Sequence, residues 1–148
     1  MGEFRSRRRI VRLLVPAAAL VALILAAAAC GGSGESRSGA AVPTATRVEV
    51  NQTGGFAGVD ELYTVDASVQ DQRRGTLLEK VGGEQFRGLA DSYIEPTGCR
   101  DAFTYEVTVT YSDGNTKHIA TDECSQSPEL LTEVITLTKE IGSHRSGK

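Results

Sequence analysis

The chain has only two histidines and three cysteines in 148 residues, and it lacks the short motifs that advertise chemistry. There is no G-x-S-x-G, no H-E-x-x-H, no phosphate-binding loop and no dinucleotide fingerprint. His118 falls in a segment that alternates like a strand and His144 in a polar tail, and neither has a sequence-readable partner. No C-x-x-C or H-x-x-x-H spacing occurs, so Cys99, Cys124 and His118 offer at most an incomplete metal set. Enzymatic activity is disfavoured, no cofactor is expected, and no internal repeat is visible.

Clustered positive charge is missing after residue 29. Arg5, Arg7, Arg8, Arg9 and Arg12 all lie in the first dozen positions; without residues 1–29 the chain keeps 11 basic and 18 acidic side chains, a formal charge of −7. Such a surface repels phosphate backbones, which excludes nucleic acid as an expected partner.

The five arginines are followed by Leu13 to Ala29, 17 residues without a charge. A basic stretch followed by an apolar one is the pattern of an export leader. A permanent membrane helix is the alternative, although 17 residues with Pro16 among them lie at the short limit of the roughly 17–25 that span a bilayer. Ala27-Ala28-Ala29-Cys30-Gly31 resembles a bacterial lipobox, in which the cysteine thiol receives a diacylglyceryl group before cleavage. Ala27 stands where a larger aliphatic residue is usual, and an ordinary leader cut near an A-x-A site is the competing reading. Ser6-Arg7-Arg8-Arg9 also resembles a twin-arginine signal, so both that route and the general secretory route stay open. The expected organisation is a lipoprotein signal peptide over 1–29, lipidated Cys30 opening a flexible Gly/Ser/Ala/Thr tether to residue 45, one domain over 46–142, and a disordered tail over 143–148. The expected location is the outer face of the cytoplasmic membrane or the cell envelope.

Within the domain, Arg47-Val48-Glu49-Val50-Asn51 and Val59 to Val65 alternate apolar and polar residues and predict two strands. Between them Gly54, Gly55 and Gly58 imply positive φ or close backbone approach, and so an irregular hairpin connection. Asp66 or Ser68 is a candidate cap for a helix running to about Val81, with Val69, Leu77, Leu78 and Val81 inward and Gly82-Gly83 as its stop. Phe86 and Leu89 are expected in the core, and Pro96-Thr97-Gly98 turns the chain. Phe103 to Tyr111 alternates strictly, and Ser112-Asp113-Gly114 fits a three-residue hairpin loop returning through Asn115 to Asp122. That register sets Val107 opposite Ile119 and Tyr105 opposite Thr121. Ser127 as N-cap, Pro128 at the first helical position and Glu129 in the first turn open a final amphipathic helix that Gly142 ends. The whole is an α+β domain: about four antiparallel strands in two hairpins with two helices packed on one face.

Outside the cytosol Cys99 and Cys124 are candidates for a disulfide, because the hairpin register sets Cys124 opposite Ala102 and Gly98 supplies a bend beside Cys99. Such a cross-link stabilises by roughly 3–4 kcal/mol on the chain-entropy argument. A metal site with His118 is the alternative. Glu106, with Asp101, Asp122 and Glu123 nearby, reads either as a recognition patch or as solvated charge.

Two segments, Val48-Glu49-Val50-Asn51-Gln52-Thr53-Gly54-Gly55-Phe56-Ala57-Gly58 and Asp101-Ala102-Phe103-Thr104-Tyr105-Glu106-Val107-Thr108-Val109, resemble emfourin, an inhibitor of the thermolysin-like metallopeptidase protealysin. The resemblance spans about residues 47–141. It implies a protein that occludes a metallopeptidase cleft; the membrane anchor expected at Cys30 comes from the lipobox-like segment and not from this resemblance. The leader and the cysteine pair depart from emfourin and leave the target open. Gly54, Gly55, Phe56, Ala57 and Gly58 are the candidate partner-binding residues: Phe56 is either an exposed anchor for a pocket on the partner or a core residue around which the glycines bend. The alternative function is a cell-envelope binding or scaffolding lipoprotein that inhibits nothing.

Overall fold

The computed structural model describes residues 41–96 and 99–147. The expected leader, Cys30, the tether to residue 40, the Thr97-Gly98 bend and Lys148 lie outside these. In chain order the elements are β1 (Ala45–Gly54), β2 (Val59–Val65), α1 (Arg74–Gly82), α2 (Glu84–Arg87), β3 (Phe103–Tyr111), β4 (Thr116–Asp122), α3 (Glu129–Ile141) and β5 (Ser143–Ser146). They form an α+β domain whose sheet is antiparallel throughout, in the order β4-β3-β1-β2-β5.

Alternation decides which face is dry. Val48 and Val50 of β1, Val65 of β2, Val107 and Val109 of β3 and Ile119 of β4 are buried, and they pack with Leu77, Val81, Phe86, Leu131 and Val134 from the helices. Their neighbours Arg47, Glu106 and His118 stand exposed on the other face. Tyr111 closes one corner: its hydroxyl donates to the Val81 carbonyl at 3.2 Å, and the Arg87 guanidinium lies 3.9 Å over its ring. The second hairpin has the expected register, Val107 opposite Ile119 and Tyr105 opposite Thr121, with Gly114 left-handed at φ 84° in the loop.

Four expectations need correction. The polar tail is not disordered: Gly142 N–H donates to the Thr138 carbonyl at 2.9 Å and turns the chain, so that Ser143–Ser146 pairs with β2 as a fifth strand. His144 then stacks on Tyr63 with ring centroids 4.8 Å apart. Nor is the stretch from Asp66 helical. The Asp66 carboxylate takes the Ser68 N–H at 2.9 Å and the Ser68 hydroxyl at 2.6 Å, while Arg74 reaches back to the carbonyls of Ala67 and Val69. Those local bonds compete with helix formation, and α1 starts only at Arg74, with the short α2 behind it.

Ser127 does not cap α3, because its hydroxyl bonds to that of Thr121. Pro128 occupies the cap position, with its carbonyl accepting from Leu131 and Thr132 at 3.0 and 3.2 Å. The domain also begins before residue 46: Ala45 pairs with Tyr111, and the Thr44 carbonyl accepts from Ser112 N–H at 2.8 Å.

The glycine turn and its seat as a candidate functional site

The loop joining β1 to β2 is shaped by left-handed glycines, Gly54 at φ 99°, Gly55 at φ 67° and Gly58 at φ 64°. Two of them are also needed for space. A Cβ on Gly54 would lie 2.6 Å from the Ala102 carbonyl oxygen, and one on Gly55 would lie 2.5 Å from the Phe103 ring. The loop is thereby pressed onto the start of β3. Gly55 N–H donates to the Ala102 carbonyl at 3.1 Å, and Gly58 N–H to the Gly55 carbonyl at 3.0 Å. A backbone held at both its base and its tip presents Phe56 outward, 94% exposed. The ring therefore does not fold back into the core. A ring of that size, left in water on an anchored turn, forfeits roughly 1.5–3 kcal/mol of burial that a partner's pocket can recover.

The seat of the turn is built from the segment after the disulfide. Cys99 and Cys124 are joined, with Cα atoms 6.3 Å apart. Asp101 adopts a left-handed φ of 60°, the one described residue besides glycine with a positive φ. Glu123 then ties the hairpin ends together. Its N–H donates to the Phe103 carbonyl at 3.1 Å, and its carboxylate accepts from Phe103 N–H at 3.3 Å and from the Tyr105 hydroxyl at 3.1 Å. Burial, followed by that hydrogen bond, pushes the Tyr105 phenol up to about 12. Asp122 caps the following turn, accepting from Cys124 and Ser125 N–H at 2.9 and 2.7 Å. The Ser125 side chain and these two amides hold its carboxyl below the ordinary value.

The acidic residues singled out from sequence thus separate. Asp101, Asp122 and Glu123 gather at the turn's end of the sheet, where Asp122 and Glu123 serve the domain's own backbone. Glu106 sits apart on the open face, opposite Asn51 and Ala120. His118 is on that face too, bonded to the hydroxyls of Thr108 and Thr116 at 3.0 and 3.1 Å. The metal alternative loses its ligands, since the two sulfurs bond each other. Among the described residues no group of three or more His, Cys, Asp or Glu is placed to hold a metal.

An open groove of about 800 Å³ runs between α3 and the sheet, lined by Tyr105, Thr121, Glu123, Ile135 and Lys139 among others. Its carboxylates are engaged internally, Glu123 as above and Glu140 with Arg73 at 2.7 Å. Sequence reasoning missed Phe103 as the floor beneath Gly55. The signal was the register that sets Gly54 opposite Phe103, which becomes visible only once β1 is known to pair with β3.

The most distinctive surface of this small α+β domain is a glycine-shaped loop with a bare aromatic tip. The emfourin family model matches residues 50–136, and the chain belongs to the emfourin family. Membership of this family is consistent with an inhibitor domain. No curated protein and no solved structure matches the chain.

Proposed function

We propose that this protein inhibits a thermolysin-like metallopeptidase, with Phe56 as the anchor that enters the partner and the Gly54–Gly58 turn as its rigid mount. The observation that carries the reading is the 94% exposure of Phe56 on a turn fastened to Ala102 and Phe103. Preorganisation matters because a loop already held in its bound shape loses little entropy on association.

The test is titration of the soluble chain from residue 41 onward against a panel of thermolysin-like peptidases. Full loss of activity of at least one enzyme at micromolar inhibitor is expected. Truncation of Phe56 to alanine should weaken inhibition by roughly 30-fold, the effect of an interface hot spot of about 2 kcal/mol, without changing the folded state. A panel that stays fully active removes the proposal.

The same proposal includes export and lipid attachment at Cys30, supported by the charge-free run and the small residues before that cysteine. The 14 residues between Cys30 and Ala45 have a linker-like composition, with a root-mean-square reach of roughly 20 Å, which would hold the inhibitor near the membrane surface to guard the envelope against a secreted peptidase.

A further inference from the structure

Building on that reading, we infer that the Cys99–Cys124 disulfide positions the Phe56 turn, so that reduction by a dithiol releases the turn and weakens inhibition. The cross-link and the turn are neighbours through two short paths. Cys99 leads within three residues to Ala102, whose carbonyl receives Gly55 N–H at 3.1 Å, and then to Phe103, whose ring supports Gly55. Cys124 adjoins Glu123, which clasps Phe103 through both its own N–H and its carboxylate. Asp101 between them is left-handed at φ 60°, a conformation that a non-glycine residue keeps only when its surroundings over-determine it. The disulfide is the covalent part of those surroundings.

The chemistry balances with a dithiol as reductant. One of its thiolates attacks a sulfur of the Cys99–Cys124 bond, breaking it and forming a mixed disulfide. The second thiolate displaces the protein sulfur, leaving two cysteine thiols and the reductant as a disulfide, two electrons and two protons having passed. Asp101 is then free to relax to negative φ, which draws the Ala102 carbonyl away from Gly55 and unseats the loop. The far end of the sheet, where Ala45 pairs with Tyr111, has no part in this path.

The experiment compares amide hydrogen exchange in the full-length chain, purified in detergent, before and after reduction with a phosphine, and in a Cys99→Ser/Cys124→Ser variant. Exchange at Gly55 and Gly58 is expected to accelerate by roughly tenfold or more, while Val107 and Val109 keep their protection. Adding Asp101→Gly to the serine variant should restore part of the protection at Gly55, because glycine holds the left-handed bend without a cross-link.

Against a peptidase that the oxidised chain inhibits, the serine variant should be weaker by roughly tenfold, the cost of ordering a loop on binding. Unchanged exchange at Gly55 overturns the inference. So does loss of protection throughout the core, which would make the disulfide a general staple. Failure of the oxidised chain to inhibit anything sinks the proposed function instead, and the exchange comparison still decides the role of the disulfide.

Discussion

At Gly55 two separate penalties fall on any side chain, whereas at Gly58 only one does. Both are left-handed, but an added Cβ at Gly58 meets nothing within 4 Å, while at Gly55 it meets the Phe103 ring. Gly58→Ala should therefore cost about 1 kcal/mol, the backbone penalty alone. Gly55→Ala should cost at least about 2 kcal/mol, since the ring must also shift; urea denaturation of the two variants measures the difference.

Tyr105 offers a test at high pH. Its proton is held more tightly in the folded chain, up to about 12 against an ordinary 10. Its contribution to stability is thus complete below pH 10 and is lost as pH rises towards 12. Tyr105→Phe should flatten that decline in denaturation curves taken across the same range.

Among the elements, α3 carries stability and β5 does not. Leu131 and Val134 are fully buried against the sheet, so Leu131→Ala should destabilise by about 2–5 kcal/mol, with the larger values if the cavity fails to collapse. All four residues of β5 are exposed, and deleting 143–148 should cost about 1 kcal/mol or less while speeding amide exchange along β2. The Asp122 turn links the element scale to pH. Its carboxyl is depressed by hydrogen bonds that exist only in the folded chain, so its stabilisation is present above the ordinary carboxylate pKa of 3.8 and fades as pH falls below it. Asp122→Asn should remove that acid-dependent component, seen as a shallower loss of stability on acidification.

For the whole molecule the decisive matter is where the domain is held. Under the proposed lipidation of Cys30, the formal charge of −7 after residue 29 would be repelled by anionic headgroups and would favour a head held away from the membrane surface. Cys30→Ser should move the chain from the membrane to the soluble fraction and abolish incorporation of labelled fatty acid. Retention of the variant on membranes would point to an uncleaved apolar helix instead.

Much of this architecture is legible in the chain because short-period alternation leaves little freedom. Phe103 to Tyr111 has one arrangement that buries Val107 and Val109 together, and the Ser112-Asp113-Gly114 loop then dictates the register of its partner. The ends of elements were less legible. Asp66 and Ser127 look like helix caps, but their side chains found nearer donors and acceptors, and a single local bond is enough to move a boundary.

The glycine spacing by itself called for an irregular connection after β1, through positive φ or close backbone approach, and the structure has both. Tertiary structure alone decided that Phe56 faces water, that Phe103 lies under the loop and that the tail becomes a strand. Each of these depends on β1 pairing with β3 or on β2 having a free edge, contacts between segments far apart in sequence that no local pattern encodes.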